Sequence, residues 1–314
     1  ANQNRPQPIL ERVVERDPDL FIYLGDNIYG DTADMTVLRE KYGTLAARPE
    51  FQTLRATCPL LATWDDHDYG TNDAGRHFAQ KNESREVFLD FWREPEDSAR
   101  REHPGIYHSH LFEQDGHRLQ VILLDTRTFR DDLLRAGQAP EPPFKNDYRI
   151  NPSSDATILG DEQWAWLRDQ LSVPADLRII ATSIQFGHSY NGWESWTNVP
   201  RERERMIDVI TETRAEGVVF ISGDVHWGEI NRQDVEGGYP LYDVTASGIN
   251  NDWDVIEPSE RRVGDAVAQY NVGFIDIDWG QEDPLVSLIS MDVEGTERNR
   301  VDLRLSTLRF PDAR

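Results

Sequence analysis

The sequence predicts an α/β domain in which two packed sheets are flanked by helices. Strand and helix patterns alternate through the first part of the 314 residues, as they do in parallel sheets with helical connections. The last third of the chain is mostly strand patterns separated by turn residues. A hydrophobic content of 38% is ample for one substantial core. We therefore expect residues 1–314 to form a single domain.

Three apolar runs are each followed at once by acidic and histidine side chains. Residues 20–24 lead into the motif GDNIYGD, residues 60–64 into DDHD, and residues 218–221 into a segment that contains GDVHWGE. A buried strand that ends in acids is typical of a parallel sheet, which binds ligands at the carboxyl ends of its strands. The sequence therefore predicts that three loops bring their polar side chains to one metal site.

The remaining elements follow from apolar periodicity and turn residues. Residues 65–75 are expected to be a loop too polar for the core, and Asp161 is expected to cap a helix. The charged run RERER at 201–205 is expected to lie exposed on its helix. Residues 131–158 are rich in Pro, Asp and Asn and predict a long loop or insertion near the active site. Helices are predicted near 9–14, 35–47, 76–92, 159–171 and 200–215, and further strands near 105–112, 118–124, 178–186, 229–231, 240–247, 271–279, 285–293 and 300–308.

The composition excludes several classes of protein. The net charge of −24, with three lysines in the whole chain, argues against broad nucleic-acid binding. No run reaches the roughly 20 apolar residues of a membrane span, so we expect no transmembrane segment. The single cysteine, Cys58, excludes an internal disulfide and is expected to be a buried, inert thiol. The acidic, lysine-poor surface suggests a saline or extracellular location.

Asp26 is the strongest candidate for a ligand that bridges two metal ions. One carboxylate can hold two cations about 3.5–4 Å apart, the spacing of two-metal hydrolysis. The alternative is that Asp26 and Asn27 only satisfy turn amides, but the same pattern in three stretches favours the ligand role. Tyr29, three residues further on, offers a phenolate oxygen suited to ferric iron. Its alternative is aromatic packing at the sheet edge.

The DDHD run supplies a second group of candidates. Asp66 is a candidate metal ligand, and His67 is a candidate general acid or phosphate contact. A solvated acidic loop is the alternative, which the apolar strand directly before it disfavours. Asn72 and Asp73 are weaker candidates, and Asp65 is expected to point away.

Two further stretches carry candidate residues. In an extended backbone Asp224 and His226, two residues apart, share a face and can reach one metal pair; a satisfied core histidine is the alternative. His188 and Asn191, after a predicted strand, are candidates for contacts with phosphate or metal, with ordinary loop roles as the alternative. Arg127 is a candidate bidentate phosphate ligand, unless it forms a salt bridge with Asp125.

The motifs GDNIYGD, TWDDHDYGTND, LLDTRTFR, SIQF…WTNVPRERER and SGDVHWGE, in this order, resemble the alkaline phosphatase D family. These are the PhoD-like metallophosphatases of the calcineurin-like phosphoesterase superfamily. The resemblance extends from about residue 2 to 230. Three superfamily motifs correspond to positions of this chain: GDxxD to Gly25, Asp26 and Tyr29, with tyrosine for the second aspartate; GNH[D/E] to Asp66, His67 and Asp68; and GHxH to Gly223, Asp224 and His226.

The resemblance implies an αββα sandwich of two mixed sheets flanked by helices. It also implies a metal-dependent enzyme that hydrolyses phosphate monoesters, diesters or both, by a hydroxide held at a two-metal site, and that is secreted or periplasmic. Asp26 would bridge the metals, with Tyr29 and His226 on the first, Fe³⁺, although other divalent metals are possible. The second metal, Ca²⁺, would be held by Asp66 and Asp224.

The substrate would be a small phosphoester, or a phospholipid or polymer phosphodiester of the teichoic-acid type. His67 would assist the departing oxygen, and Asn27, Arg127, His188 and Asn191 would contact the substrate. An inactive calcium-stabilised scaffold or binding domain is the alternative from another class of protein.

The sequence departs from the family pattern at two places. Family members have an opening strand that ends in a Gly-Ser-Cys-like motif, whose cysteine ligates iron. The present chain starts at ANQN, and Cys58 is not the equivalent of that cysteine. We therefore expect the domain to lack its first strand. At Asn191, many relatives carry a histidine.

Overall fold

A seven-stranded mixed sheet forms the centre of the domain. The computed structural model describes residues 1–137 and 146–311. From one edge to the other, the strands of this sheet are β11 (Arg262–Val267), β9 (Gly228–Gln233), β10 (Leu241–Ala246), β8 (Val218–Ser222), β7 (Leu177–Thr182), β4 (His117–Leu123) and β3 (His108–Gln114). Strands β10, β8, β7 and β4 are parallel, so their carboxyl ends lie at one edge. The other three strands are antiparallel to their neighbours.

The second layer consists of two smaller sheets. The first pairs β1 (Phe21–Leu24) with β2 (Leu60–Thr63) in parallel, and the second is the antiparallel set β12 (Asn271–Asp278), β13 (Leu285–Asp292) and β14 (Glu297–Arg304). A separate hairpin joins β5 (Leu134–Arg135) to β6 (Tyr148–Arg149). The predicted α/β class, with mixed sheets flanked by helices, is therefore confirmed, but the second layer is divided.

Helices cover the outer faces of both layers. Those that pack with β1 and β2 are α1 (Ile9–Glu15), α2 (Met35–Ala46), α3 (Pro49–Thr57), α4 (Asp66–Tyr69) and α5 (Lys81–Phe91). Those on the large sheet are α6 (Gly160–Leu171) and α7 (Pro200–Thr213). Short 3₁₀ turns lie at Ala99–Arg101, Trp196–Asn198 and Leu305–Leu308. Within the described ranges, no helix has the length and apolar character needed to cross a bilayer.

The central strands are buried on both faces because their side chains alternate between two cores. Ile122 and Ile180 pack with α6 and α7, whereas Val121 and Ile179 point between the layers toward Ile22 and its neighbours. This explains why the parallel strands appear in the sequence as continuous apolar runs. Complete burial of each such side chain contributes about 1.5–3 kcal/mol. The two cores thereby fix the edge at which the loops meet.

A cavity of about 620 Å³ separates β1 from β12 in the second layer. Its lining includes every residue from 20 to 26 and from 271 to 277. Because successive strand side chains point to opposite faces, a cavity lined by consecutive residues runs along the strand edges. In the described part of the chain, β1 pairs with β2, and β12 with β13. The edges that border the cavity are therefore unpaired.

The prediction that residues 65–75 form a polar loop outside the core was wrong for residues 65–69. Asp66 and Asp68 are buried, and residues 66–69 form α4. The side chain of Asp65 accepts a hydrogen bond from the backbone of the third helical residue, and Asp68 accepts one from the Asp65 amide at 2.7 Å. This capping box gives the acids partners inside the protein, which composition alone could not indicate.

Several other local predictions also needed correction. Helix α6 begins at Gly160, with Leu159 as its N-cap, so Asp161 lies within the first turn. The run RERER is not fully exposed, because Glu202 is buried and accepts a hydrogen bond from Trp164 Nε1 at 2.8 Å. Strand β11 was not predicted, and the helix expected from residue 76 begins at Lys81. Within the segment predicted as a long loop, β5 and β6 form a hairpin, and residues 138–145 lie outside the described residues.

Candidate metal centre

The loops after β1 and β2 meet at a close approach that requires a glycine. Gly25 has φ +99°, a conformation that L side chains rarely adopt, and a Cβ there would lie 2.5 Å from Asp65 Cβ. The second layer is tied to the first nearby, because the Thr63 hydroxyl donates to the Leu124 carbonyl at 2.7 Å. The ends of β1, β2 and β4 are thereby held together, and the acids that follow them lie side by side.

Two groups of potential metal ligands share Asp66. Ligand atoms of Asp26, Asp66 and His67 lie within 4.8 Å of one another, as do those of Asp65, Asp66 and Asp224. The structure thus brings together residues from all three motif stretches. Asp65, which was expected to point away, lies in the second group and is fully buried. That expectation was wrong.

Several carboxylate oxygens of this cluster have no hydrogen-bond donor among the described residues. They are Oδ1 of Asp26, Oδ2 of Asp65 and Oδ1 of Asp66, all of them buried. A buried ionised oxygen that lacks a donor is costly unless a cation or a proton compensates it. Oxygen ligands of this kind are those that hard cations prefer. The donor set therefore fits a metal ion.

The acids also perturb one another's protonation. Burial, followed by the charge of Asp66, raises the pKa of Asp26 to about 7. Burial and the charges of Asp65 and Glu194 raise the pKa of Asp224 above its ordinary value. Burial alone would raise the pKa of Asp66, but Arg127 and His67 outweigh it and lower that pKa. Among these acids, Asp66 is the carboxylate that the protein itself keeps ionised.

Tyr29 and His226 form a second part of the centre. Tyr29 Oη lies 2.8 Å from His226 Nε2, and Asn251 Nδ2 donates to Tyr29 Oη at 2.7 Å. Burial, mainly, lowers the pKa of His226 to about 4, which keeps the imidazole neutral, as a metal ligand must be. The extended backbone predicted for Asp224 and His226 was wrong, since both have left-handed φ angles of +73° and +64°. They reach the centre from a turn after β8.

His67 is held by an acid outside the cluster. Its Nδ1 lies 2.6 Å from Asp31 Oδ1, and its ring packs on Tyr29 at 4.2 Å between centroids. Burial alone would lower the pKa of His67, but the hydrogen bond to Asp31 and the charges of Asp26 and Asp66 raise it to about 10. The raised pKa favours the protonated form of the imidazole next to the acids.

The other predicted substrate contacts are engaged within the protein. Arg127 is fully buried; its Nε donates to Asp65 Oδ1 at 2.6 Å, and its Nη1 donates to Glu194 Oε2 at 2.6 Å. It therefore forms its salt bridges with these acids rather than with Asp125, which accepts a hydrogen bond from the Arg127 amide at 2.9 Å. The side-chain amide of Asn27 donates to the Thr63 carbonyl at 2.9 Å and to Asp68 at 2.5 Å.

His188 and Asn191 belong to a buried polar cluster beneath the loops. Asn191 donates to Gln185 Oε1 at 2.8 Å, and Gln185 in turn donates to Glu229 Oε1 at 2.7 Å. His188 Nε2 lies 3.7 Å from the same Glu229 oxygen. The structure therefore places this pair with Gln185 and Glu229, and neither residue is in the two acidic groups.

Three residues at the centre were missed by sequence analysis. Glu194 bridges Arg127 and Arg130, at 2.6 Å and 2.8 Å respectively, and Asn251 binds Tyr29. Arg130 ends the quoted motif LLDTRTFR, and Glu194 lies between SIQF and WTNVP, but only their pairing across the fold shows what they do. Asn251 stands in an ordinary polar loop, where no sequence pattern indicates it.

The fold and the centre define an α/β protein with a cluster of acidic side chains that could bind a metal ion at the carboxyl ends of its strands. Residues 6–247 match the sequence family of PhoD-like phosphatases. The chain belongs to that family.

The relatives fit this assignment. Alkaline phosphatase D of Bacillus subtilis (strain 168) is 29% identical over 248 residues, which are 66% of this chain and 41% of that protein. A solved structure of PhoD has a TM-score of 0.65 and 18% sequence identity to this chain. The match covers 94% of this chain and 69% of the solved PhoD chain. A solved structure of GAP50, described as the anchor in the inner membrane complex of Plasmodium, has a TM-score of 0.57 and 10% sequence identity to this chain. The match covers 96% of this chain and 84% of the GAP50 chain. At these identities the two structures support the fold alone.

Proposed function

We propose that the protein hydrolyses phosphate esters at a metal centre built on Asp26, Asp66 and Asp224. The observation that carries the proposal is the set of buried carboxylate oxygens without donors, where loops from several strands converge. The chain's membership of the PhoD-like phosphatase family supports phosphoester hydrolysis.

The proposed metals follow from the chemistry of the donors. Tyr29 and His226 offer a phenol oxygen and an imidazole nitrogen, a set that suits Fe³⁺. Asp66 and Asp224 offer carboxylate oxygens, which suit Ca²⁺ or another divalent metal, and Asp26 is the proposed bridge. When bound, such ions polarise the phosphoryl oxygens and generate a nucleophile from water at neutral pH. They also supply the positive charge that draws an anionic substrate to an acidic protein.

The chain's own residues orient the substrate and handle the proton. The contact of Asp31 with His67 Nδ1 fixes the ring and leaves Nε2 as the nitrogen for the substrate. We assign His67 the role of proton donor to the departing oxygen. Arg127 is assigned a positioning role, since its guanidinium is occupied by Asp65 and Glu194. Asn27 likewise positions the loops after β1 and β2 through its contacts with Thr63 and Asp68.

We also propose that a further strand completes the second layer between β1 and β12. The cavity there runs along two unpaired edges, and Ala1 is among the residues that line it. A strand in this position would pair with the free backbone groups of both edges. This agrees with the first strand that the sequence analysis expects to be lacking.

The test of function combines elemental analysis with hydrolysis of p-nitrophenyl phosphate and bis-p-nitrophenyl phosphate. We expect bound iron and calcium, and turnover that a chelator removes. In the variant Asp26→Asn, we expect turnover to fall at least about 100-fold, because one bridging charge is lost. Asp132→Asn, an exposed acid paired with His77, is the matched control and should keep full activity.

Two results would contradict the proposal. Full turnover in Asp26→Asn would show that the acidic centre is not the site of hydrolysis. Bound calcium without turnover on either ester would instead favour a calcium-stabilised scaffold. If turnover is present, the ratio of the two rates distinguishes a monoesterase from a diesterase.

A further inference from the structure

Asp73 adopts an unusual backbone conformation beside the metal centre. Its φ is +60°, in the left-handed region, which aspartate adopts less readily than glycine but more readily than most other residues. In this conformation its amide donates to Asp66 Oδ2 at 2.6 Å. Its carbonyl accepts from Arg130 Nη2 at 2.6 Å. Both backbone groups of Asp73 are therefore engaged, one of them by a candidate metal ligand.

The side chain of Asp73 is held by a distant part of the chain. Tyr148, 75 residues further on, donates its hydroxyl to Asp73 Oδ2. Arg135 donates to the same oxygen at 2.9 Å, and its guanidinium lies 4.2 Å from the centroid of the Tyr148 ring. Tyr148 is buried, whereas the Arg135 side chain is about half exposed. The hairpin β5–β6 therefore holds in place, through the Asp73 side chain, the turn that contacts Asp66.

The two oxygens of Asp66 are consequently in different situations. Oδ2 accepts from the Asp73 amide, whereas Oδ1 is buried, with no hydrogen-bond donor in the described ranges. A carboxylate ligand whose second oxygen is hydrogen-bonded is fixed in orientation, and such outer contacts tune metal affinity. The amide thus selects Oδ1 as the oxygen that faces the cluster.

We propose that Asp73 and Tyr148 are positioning residues for Asp66, a role that rests on the proposed metal-dependent hydrolysis. Tyr148 holds the Asp73 side chain, which keeps the left-handed turn in place. The turn in turn directs the Asp73 amide at Asp66 Oδ2. Neither residue touches the substrate in this scheme. A substitution on the hairpin would therefore change metal affinity at a carboxylate that it does not contact.

The hairpin has other anchors that do not use the Tyr148 hydroxyl. The Tyr148 amide donates to the Gly192 carbonyl at 3.1 Å, and the Tyr190 hydroxyl donates to the Tyr148 carbonyl at 2.5 Å. Tyr148→Phe should therefore leave the hairpin in place and release only Asp73. Tyr190→Phe removes the same chemical group from a residue that contacts the hairpin but leaves Asp73 held. The two variants form a matched pair.

The experiment compares the wild type with both variants by three measurements. Calorimetry gives the affinity for Mn²⁺ and Ca²⁺, and kinetics gives kcat and KM at limiting and at saturating metal. NMR gives the hydrogen-exchange rate of the Asp73 amide without metal. For Tyr148→Phe we expect roughly 10-fold weaker metal binding, the low end for outer contacts. The loss of turnover should be recovered at saturating metal, and the Asp73 amide should exchange faster. Tyr190→Phe should match the wild type in all three.

Other outcomes separate this inference from the proposed function. Equal Asp73 exchange and equal metal affinity in the wild type and Tyr148→Phe would overturn the positioning role. Equal losses in both variants would also overturn it, because they would show a general effect of the hairpin. A wild type that neither binds metal nor hydrolyses esters would overturn the proposed function, even if Tyr148→Phe frees the Asp73 amide. Arg135→Gln should have a smaller effect than Tyr148→Phe, because its ion pair is partly exposed.

Discussion

Replacement of Arg127 by glutamine distinguishes a phosphate ligand from a buried structural cation. Arg127 and Asp65 have no exposed side-chain surface, and the Arg127 guanidinium donates to both Asp65 and Glu194. If Arg127 bound phosphate, its loss would raise KM and leave stability almost unchanged. If it compensates buried acids, as its contacts indicate, its loss must destabilise the fold.

The decrease in the free energy of unfolding depends on which buried charge is left without a partner when Arg127 is replaced. Glu194 keeps Arg130, whose Nε lies 2.8 Å from Glu194 Oε1. Among the described residues, Asp65 keeps only neutral donors, one of which is the Ser183 hydroxyl at 2.5 Å. Removal of one partner of a buried ion pair costs about 3–5 kcal/mol. For a chain of 314 residues, whose unfolding entropy is about 2.1 cal/mol/K per residue, that corresponds to a fall in Tm of roughly 5–8 °C.

The assay is thermal and urea unfolding of the wild type, Arg127→Gln and Arg127→Gln/Asp65→Asn, all with a chelator so that metal binding does not mask the effect. The double variant should regain about 1–2 kcal/mol, because it removes the stranded charge. Arg76→Gln, which breaks a partly exposed pair with Asp131, is the control and should cost less than about 1 kcal/mol. An Arg127→Gln variant that melts like the wild type but has a raised KM would refute the reasoning.

Two further predictions concern the loop after β1 and the cavity beside it. Gly25→Ala should lower both Tm and the amount of bound metal, because the added Cβ would meet Asp65 and the φ of +99° disfavours alanine. A variant with normal metal content would show that the loops after β1 and β2 can move apart without loss of metal binding. A β-strand peptide fused before Ala1 should lower the binding of an apolar fluorescent dye and raise Tm relative to residues 1–314 alone, since the added strand would fill the 620 Å³ cavity. Equal dye binding by the two forms would contradict the proposed strand.

The sequence predicted the strand ends well because each of them is a local pattern. Residues 21–24, 60–63 and 218–222 form strands within two residues of the expected bounds, and the acids after them do converge. The buried strands are apolar on both faces, so their signal is strong and short in range. The division of the second layer was not predictable, because it depends on which strand edges pair.

The failures concern residues whose surroundings are assembled from far along the chain. Asp65 lies in an acidic run that resembles a solvated loop, and what buries it is a guanidinium 62 residues away. Glu202 lies in a charged run on a helix, but it accepts from the indole of Trp164, 38 residues before it. In both cases a local pattern of charge was read as exposure, and the partner that makes burial tolerable could not be identified from spacing.

For the same reason, motif residues are easy to identify from the sequence, whereas the residues that hold them in place are not. The metal-type acids follow strands at fixed offsets, so a local pattern reveals them. Asp66, however, depends on Arg127 for its charge state and on the Asp73 amide for its orientation. Asp73 is held in turn by Tyr148, on a hairpin that gives no sequence signal. In the proposed metal centre, the family motifs supply the atoms that bind the metal, and contacts between distant parts of the chain set the strength of binding. Substitutions at Arg127 and Tyr148 should therefore alter metal affinity without changing a motif acid.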